Sequence, residues 1–555
     1  MLICVLLSLF AGRLIQLQGL DASTYAVAAG NDRLRTAKIP ALRGPILDRD
    51  GEALAQSVEV YDLTVDQTLV TNPAAYALQL DALLGADVGA IQRALTGDRR
   101  FAYVAKRVTP ETWRAVQELR LRGMSAEPAS QRTYPAGSVA GNVVGFAGAD
   151  GHGLAGLELS MDSVLGGRDG HVTCQKSAGG QCIPLGNSSS DDAVPGQGVR
   201  LTIDRDVQWY AEQALAEQVT ATRSDAGNLV VLDTRTFEVV AMATSPVVDP
   251  NEPGATEERN RRNHVVEEAY EPGSVFKPLT MAAVIEEGMA GPATVFSVPD
   301  HLSRSGETIN DYYDHPELQM TLAGAMAKSS NVGTMLAAER IDKDAFREYL
   351  ASFGLGSKPG LELPGESAGQ LPEDWSDLTR DTIAFGQGVS VSTLQLAAAY
   401  ATIANGGVRP PLRLVEATID AEGTEAPIDV GAPERVVSEE TAAAVTLMME
   451  GVMGKDGTGR SAGVDGYRVA GKTGTAQRVD AACGCYRGYN ASFMGFAPAD
   501  DPRYVVAVSL LNPHKGNSGG ALAGPVFSDV MGFTLAQMGV APTGTEPPTV
   551  KLFAD

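Results

Sequence analysis

The chain has 555 residues, 44% of them hydrophobic, and this length is too great for a single hydrophobic core, so we expect two to four domains. Its formal net charge is -24, which argues against nucleic acid as a partner because neutralising phosphates requires a basic surface. We interpret the acidity itself as a contribution to solubility.

The first segment of the chain, residues 1–12, is apolar or small throughout and ends at Arg13. It is shorter than the roughly 20 residues that a helix needs to cross a bilayer core. No basic region precedes it, as a signal peptide would require, although Ala26-Val27-Ala28 resembles a cleavage site. We interpret it as the distal part of a membrane anchor whose first residues are missing from this chain, followed by a stalk. A buried amphipathic helix is the alternative.

The cysteines agree with a location outside the cytoplasm. Cys4 would lie in the membrane, Cys174 and Cys182 bracket a short glycine-containing loop, and Cys483 and Cys485 flank one glycine. The last four cysteines allow three disulfide pairings, and the sequence does not distinguish among them. Their spacings lack nearby histidines and do not match a zinc site, so we predict no metal.

Composition divides the rest of the chain near residue 198. Short strands and helices with glycine and proline punctuation precede a linker rich in Gly, Ser, Asp and Pro at 174–198. The tail after Ala541 is rich in Pro and Thr and is expected to have no fold of its own. We therefore predict a partial membrane anchor and stalk, an N-terminal domain, a larger second domain and a flexible tail, at 1–35, 36–197, 198–540 and 541–555.

The larger domain contains five strand candidates, at 229–232, 239–242, 467–479, 492–496 and 504–511. Helical patterns come before, between and after them, and the last could begin at Pro525. This order predicts an α+β fold in which a five-stranded antiparallel sheet lies between helical layers.

The first chemical motif is Ser274-Val275-Phe276-Lys277, whose spacing places the serine and the lysine on one face of a helix. Acyl transfer needs a nucleophile, a base and donors for the oxyanion. A lysine is a base only when it is neutral part of the time, which burial and a second cation such as Lys472 both favour. Alone the motif is weak, because Ser274 could simply cap a helix.

Two further motifs follow in order, Ser329-Ser330-Asn331 and Lys472-Thr473-Gly474-Thr475. The three together form the set found in penicillin-binding proteins and class A β-lactamases. The second lysine also completes a phosphate-loop pattern, G-x-x-x-x-G-K-[ST], at 466–473. That loop requires a helix directly after its Lys-Thr, whereas residues 475–479 favour a strand, so we do not predict nucleotide binding.

The chain resembles class B penicillin-binding proteins over nearly its whole length. Besides the three motifs, the resemblance rests on residues 43–51, 134–135, 145–146, 153–158, 385–388 and 404–407. It implies an elongated mixed α/β pedestal, or dimerisation domain, at 36–197 and a penicillin-binding serine transpeptidase domain at 198–540. It also implies a single-pass protein of the cell membrane whose catalytic domain is extracytoplasmic.

The resemblance further implies a site without a cofactor, in which Ser274 is the nucleophile, Lys277 its base and Ser329 the group that protonates the leaving D-alanine. Asn331 would orient the bound peptide and Lys277. Lys472, Thr473 and Thr475 would hold the substrate carboxylate, and Gly474 is predicted to bind the substrate with them. The partners would be peptidoglycan stem pentapeptides as donor and acceptor, β-lactams, the membrane, a polytopic membrane glycosyltransferase and other divisome proteins.

Within this class, a septal D,D-transpeptidase is the preferred interpretation, because the interval from Arg43 to Ser274 resembles the shorter arrangement of division enzymes. A D,D-carboxypeptidase, an elongation-type transpeptidase, a β-lactamase and a β-lactam sensor or divisome scaffold remain alternatives.

Overall fold

The computed structural model describes residues 1–20, 34–175, 188–480 and 483–554. Contacts divide the chain into two compact units. The first comprises Met1–Gly44, Gln56–Thr133 and Ser163–Gln197, and the second comprises Pro45–Ala55, Tyr134–Asp162 and Gly198–Asp555. The predicted boundary at 198 coincides with the last of these junctions, while the domain assignment on either side of it stays a prediction.

The N-terminal segment forms an α-helix, Leu2–Ile15, that continues as one π-helical turn, Gln16–Leu20. Its large apolar side chains, such as Ile3, Leu9 and Phe10, are exposed. None of the described helices is long and apolar enough to cross a membrane. Most of the predicted stalk falls on residues 21–33, outside the described ranges.

The first unit builds a small core where strands meet three helices. Residues 56–65 of the strand Ala53–Val65 pair antiparallel with Ala102–Val108 and Met124–Thr133. Leu63 and Val65 pack with Leu80 and Ile91 from the covering helices, Pro73–Leu84, Val88–Leu95 and Pro110–Glu118. A second sheet joins Leu34–Ile39, Gly170–Gln175 and Ser188–Asp191, and a short helix, Asp162–Leu165, precedes the second of these strands in sequence.

The second unit contains a five-stranded antiparallel sheet. Its strands are β1 Ala226–Asp233, β2 Val239–Ser245, β3 Ala470–Asp480, β4 Cys485–Ala497 and β5 Tyr504–Leu511. Their order in the sheet is β2-β1-β5-β4-β3. All five predicted strands are confirmed, with ends that differ by several residues. The nearly continuous apolar composition of β1, β2 and β5 is explained by burial on both faces.

Helices cover both faces of this sheet, as predicted. Leu215 and Phe527 pack in one cluster with Val231 and Phe493 of the sheet, and a second layer lies against β1, β3 and β5. The first layer is α1 Arg205–Thr222 and α7 Gly524–Gln537, and the second includes α5 Thr393–Ala404 and α6 Glu439–Met453. Three further helices lie between α1 and α5 in sequence, namely α2 Lys277–Glu286, α3 Leu322–Lys328 and α4 Asn331–Ala338.

The remaining elements of the second unit are short. The other α-helices are Gly141–Val144, Gly156–Ser160, His264–Glu267, Lys343–Ser352, Asp377–Ala384 and Gly519–Leu522. The other strands are Ile46–Leu47, Gly198–Leu201, Ala269–Tyr270, Val295–Val298, His301–Arg304, Glu307–Asn310, Leu318–Thr321, Val391–Ser392, Val408–Arg409, Val415–Ile419, Glu425–Pro427 and Glu434–Arg435.

Two early segments of the chain belong to the second unit through specific contacts. Strand Ile46–Leu47 lies parallel to Gly198–Leu201. The backbone N–H of Ala140 donates to the Glu212 carboxylate of α1 at 2.9 Å, and the Asn142 side chain donates to the carbonyl of Arg262 at 2.8 Å. Residues 45–55 and 134–162 are therefore part of the packing that supports the sheet.

The tail contains no helix, yet its last described residues pack on the second unit. Phe553 forms an antiparallel bridge with Met320 of the strand Leu318–Thr321. The backbone N–H of Ala554 donates to the carbonyl of Gln319 at 2.9 Å. The Pro- and Thr-rich composition of the tail did not predict these contacts.

The structure forms one disulfide within the hairpin that joins β3 to β4, between Cys483 and Cys485. Cys174 is also disulfide-bonded, while Cys182 lies outside the described residues. Cys4 is a free, exposed thiol on the N-terminal helix.

Candidate active site

Ser274 lies in a cleft of about 660 Å³ in the second unit. It sits in the 3₁₀ turn Gly273–Phe276, which leads directly into α2 with Lys277 as its first residue. The buried Tyr400 of α5 donates a hydrogen bond of 2.7 Å to the carbonyl of Val275 and so supports this turn from below. Within the described ranges the Ser274 hydroxyl makes no hydrogen bond, and this leaves it available to a substrate.

Glycines let strand β3 approach this turn closely. A Cβ atom on Gly474 would lie 2.2 Å from Ser492 Oγ and 2.9 Å from a methyl group of Val275. Gly273 has a φ of +60°, and its Cβ would lie 2.9 Å from that of Ala476. The Lys-Thr-Gly-Thr motif therefore needs its glycine for close contact between β3 and the turn that contains Ser274.

Lys277 is fully buried and contacts the Ser-Ser-Asn motif. Its Nζ donates to the carbonyl oxygen of Ser329 at 2.5 Å and to Oδ1 of Asn331 at 2.8 Å. Ser329 Oγ lies 3.3 Å away. The first and second motifs are thus joined through the amine of Lys277.

Lys472 of β3 is also fully buried and reaches the same serine from the other side. Its Nζ lies 2.9 Å from Ser329 Oγ and 3.1 Å from the carbonyl oxygen of Thr473. The Ser329 hydroxyl therefore bridges the amines of the two lysines.

Burial shifts the acidity of both lysines. It lowers the pKa of Lys277 to about 7, although the negative charge of Asp311 acts in the opposite direction. Burial also lowers the pKa of Lys472 well below its ordinary value, and the charge of Lys277 lowers it further. Two amines that share one hydroxyl in a buried site favour a state in which at least one of them is neutral.

Ser329 occupies the sharp corner between α3 and α4. Its φ is +60°, a left-handed conformation that non-glycine residues rarely adopt. This corner turns both its carbonyl oxygen and its hydroxyl toward the lysines. Ser330 then caps α4, because its Oγ accepts the backbone N–H of Gly333 at 2.8 Å.

The remaining predicted residues line the cleft or shape it. Thr473, Thr475 and Asn331 line it together with Ser274 and Ser329. Thr473 Oγ1 lies 2.8 Å from Thr458 Oγ1, and Thr475 Oγ1 accepts the backbone N–H of Gly519 at 3.2 Å. The structure therefore brings all eight predicted site residues together.

A buried pair, Asp311 and His315, supports the site and was not predicted from the sequence. Asp311 accepts the Ser330 hydroxyl at 2.6 Å and the Val332 backbone N–H at 3.0 Å, and its Oδ2 lies 3.1 Å from His315 Nε2. Burial alone lowers the pKa of His315, but hydrogen bonds to the Pro316 carbonyl and to Asp311 raise it above its ordinary value. A short segment without periodicity gives no sequence signal for such a pair.

Three tyrosines are among the residues that line the cleft, namely Tyr312, Tyr486 and Tyr489. The Tyr486 hydroxyl lies 3.1 Å from a carboxylate oxygen of Glu271. Burial and the charge of Glu271 raise the pKa of Tyr486 to about 12, so this phenol stays a hydrogen-bond donor. The Cys483–Cys485 disulfide lies one residue before this tyrosine.

The phosphate-loop alternative conflicts with the structure. Lys472 and Thr473 lie inside a strand that runs unbroken from Ala470 to Asp480. No helix N-terminus follows them to receive a phosphate, so the prediction of a strand at this position is confirmed.

Comparisons with known proteins agree with this geometry. Residues 227–532 match the family described as penicillin binding protein transpeptidase domain, and residues 38–201 match the penicillin-binding protein dimerisation domain. Penicillin-binding protein PbpB of Mycolicibacterium smegmatis is 36% identical, over 98% of this chain and 90% of its own length. Peptidoglycan D,D-transpeptidase FtsI of Escherichia coli is 32% identical, over 97% of this chain and 91% of its own.

Among solved structures, penicillin-binding protein 3 of Mycobacterium tuberculosis complexed with aztreonam superposes with a TM-score of 0.73 at 33% identity. The match covers 94% of this chain and 100% of that one. Both family matches and the near full-length relatives lead to one conclusion. This chain belongs to the class B, division-type penicillin-binding proteins.

Proposed function

We propose that the protein is a peptidoglycan D,D-transpeptidase that cross-links stem peptides during septal wall synthesis and is acylated by β-lactams. The observation that carries the proposal is the pair of buried lysines bridged by the Ser329 hydroxyl, in the cleft that Ser274 lines. The names and titles of the relatives support it, since one is called a D,D-transpeptidase and another binds aztreonam.

In the acylation step, neutral Lys277 takes the proton of Ser274. A neutral amine has two N–H bonds, which the Ser329 carbonyl and Asn331 Oδ1 accept, and its lone pair remains for the serine proton. The Ser274 oxygen then bonds to the carbonyl carbon of the penultimate D-alanine, with backbone N–H groups at Ser274 and Thr475 as oxyanion donors.

Collapse of that intermediate breaks the peptide bond. The terminal D-alanine leaves as an amine after taking a proton from the Ser329 hydroxyl. Ser329 then regains a proton through the two lysines that contact it. Lys472, Thr473 and Thr475 hold the substrate carboxylate during this step, because the negative charge of the bound carboxylate favours the ammonium form of Lys472, whose pKa is lowered in the free site. The amine of a second stem peptide then attacks the acyl-serine carbonyl and gives a proton to Lys277. The bond from that carbonyl carbon to the Ser274 oxygen breaks as the new amide forms, and Ser274 takes the proton back from Lys277.

We further propose that the helix Leu2–Ile15 is part of a membrane anchor, because its exposed side chains are apolar. The catalytic unit would then lie outside the cytoplasm beside its polymeric substrate. A polytopic membrane glycosyltransferase would supply the glycan strands, together with other divisome proteins.

An exchange assay tests the reaction. The purified full chain is incubated with a D-alanyl-D-alanine thioester mimic and a D-amino acid, and the products are separated by mass. We expect the thiol to be replaced by the D-amino acid. Hydrolysis alone would favour a D,D-carboxypeptidase, and no turnover with stable acylation would favour a β-lactam sensor.

Depletion in the source cells tests the septal role. Filamentation, branching or swelling without septa is the expected result. Rounded or bulging cells that divide on time would instead indicate an elongation enzyme.

A further inference from the structure

The end of the tail is built into the wall that carries the Ser-Ser-Asn motif. The carbonyl of Leu552 accepts the backbone N–H of Thr321 at 3.0 Å, and the carbonyl of Lys551 accepts the Thr321 hydroxyl at 2.7 Å. Thr321 is the N-cap of α3, and its Oγ1 also accepts the N–H of Gly324. The tail therefore binds the residue that starts this helix.

The same segment also reaches the other end of α3. The ammonium of Lys328, the last residue of the helix, lies 5.9 Å from the centre of the Phe553 ring. Lys328 lines the catalytic cleft beside Ser329. Residues 551–553 thus contact the first and the last turn of α3.

The helix sequence is adapted to this segment. A Cβ on Gly324 would lie 1.9 Å from the carbonyl oxygen of Leu552, so alanine cannot stand there while the tail is bound. A glycine inside a helix lowers its stability relative to alanine, and close approach of the tail explains its presence. On α6, Gly451 similarly faces Val550, where a Cβ would lie 3.3 Å away.

The position of α3 determines the position of Ser329. The backbone N–H of Ser329 donates to the carbonyl of Met326, and that of Ser330 donates to the carbonyl of Ala325, so both residues are tied to the helix. The Ser329 carbonyl and hydroxyl contact Lys277, and its hydroxyl contacts Lys472. A shift of α3 would therefore separate the groups that share the proton.

We infer that residues 549–554 form a positioning element of the catalytic site, which holds α3 so that Ser329 and Asn331 meet the two lysines. The catalytic part of this inference rests on the proposed function. The structural part, which is that the tail holds α3, can be measured without any activity.

The test compares the wild type with three variants: a shortened chain ending at Pro548, Gly324→Ala and the matched control Gly532→Ala. Gly532 lies in α7, and the nearest atom to its added Cβ would be 3.7 Å away, so alanine fits there. Each form is acylated with a fluorescent penicillin across a range of concentration and pH. Hydrogen exchange of residues 322–331 is measured in parallel, with and without a peptide of residues 546–555.

For the shortened chain we expect the covalent step to slow at least about tenfold, because small misplacements of catalytic groups have effects of this size. The penicillin concentration that gives half of the maximal acylation rate should change much less. The acidic limb of the pH profile should move to higher pH, since water that enters beside Lys277 raises its pKa. The peptide should restore the rate, and a scrambled peptide should not. Gly324→Ala should slow acylation and Gly532→Ala should not.

Several results would overturn the inference. One is a shortened chain with the wild-type rate and pH profile. Another is equal behaviour of Gly324→Ala and Gly532→Ala. If the wild type is not acylated, the proposed function fails, and hydrogen exchange then decides the structural part. Faster exchange of α3 after shortening supports that part, and unchanged exchange contradicts it.

Discussion

Lys277 and Lys472 are buried without a salt bridge in the part of the chain that the structure describes, and this determines how the site ionises. The nearest negative charge that acts on Lys277 is Asp311, which is engaged by Ser330 and His315. An ammonium in such surroundings loses its proton more readily than in water. The arrangement therefore favours a neutral Lys277 amine near neutral pH, which is the form that the proposed mechanism requires of its base.

This leads to a prediction for pH dependence. Because the pKa of Lys277 is lowered to about 7 and the neutral amine is the active form, acylation by β-lactams should rise as pH increases through about 7 and then level. Asp311→Asn removes the charge that favours the ammonium, so the rise should move to lower pH. Stopped-flow acylation rates across this range measure both curves. If the acylation rate of Asp311→Asn rises over the same pH range as that of the wild type, the assignment of Lys277 as the base is contradicted.

At the scale of elements, the link between α1 and residues 134–162 depends on one carboxyl group. Burial raises the pKa of Glu212 to about 7, while hydrogen bonds from Gln208 and Ala140 act in the opposite direction. A raised folded-state pKa means that the stabilisation is complete below the unfolded value of 4.5 and is lost as pH rises through about 7.

We therefore expect Glu212→Gln to remove this pH dependence. Relative to the variant, the wild type should lose up to about 3 kcal/mol of unfolding free energy between pH 5 and 8. Urea unfolding at several pH values measures the difference. A constant offset between the two proteins at every pH would show that Glu212 does not titrate with folding.

Much of the site and of the sheet could be predicted from the sequence, since both have local signals. Strands β1, β2 and β5 are apolar runs buried on both faces, and Ser274, Ser329 and Lys472 belong to motifs with defined residue types. The contacts of the tail and of the Asp311–His315 pair could not be predicted, because they depend on which elements, distant in sequence, pack together. Gly324 illustrates this limit of sequence-based prediction, because the residue that excludes a side chain at this position is Leu552, which is far away in the chain.

At the scale of the whole molecule, the catalytic unit is assembled from three stretches of chain. A protein that begins at Gly198 would lack the strand Ile46–Leu47 and the donors to Glu212 and to the 260–262 turn. We expect its melting temperature to fall by several degrees, since the loss of about 1 kcal/mol shifts the midpoint by about 2–4 °C in domains of this size. Thermal unfolding beside the full chain measures this. An unchanged midpoint would show that residues 198–555 fold as an independent domain.

The central claim is that Ser274 is the nucleophile of an acyl transfer assisted by Lys277. The most direct measurement is mass spectrometry of the intact chain after incubation with a penicillin, followed by peptide mapping, for the wild type and for Ser274→Ala. We predict one added penicilloyl group on Ser274 in the wild type and none in the variant, whose thermal unfolding should be unchanged. Acylation of another residue, or labelling of the variant at a comparable rate, would contradict the account.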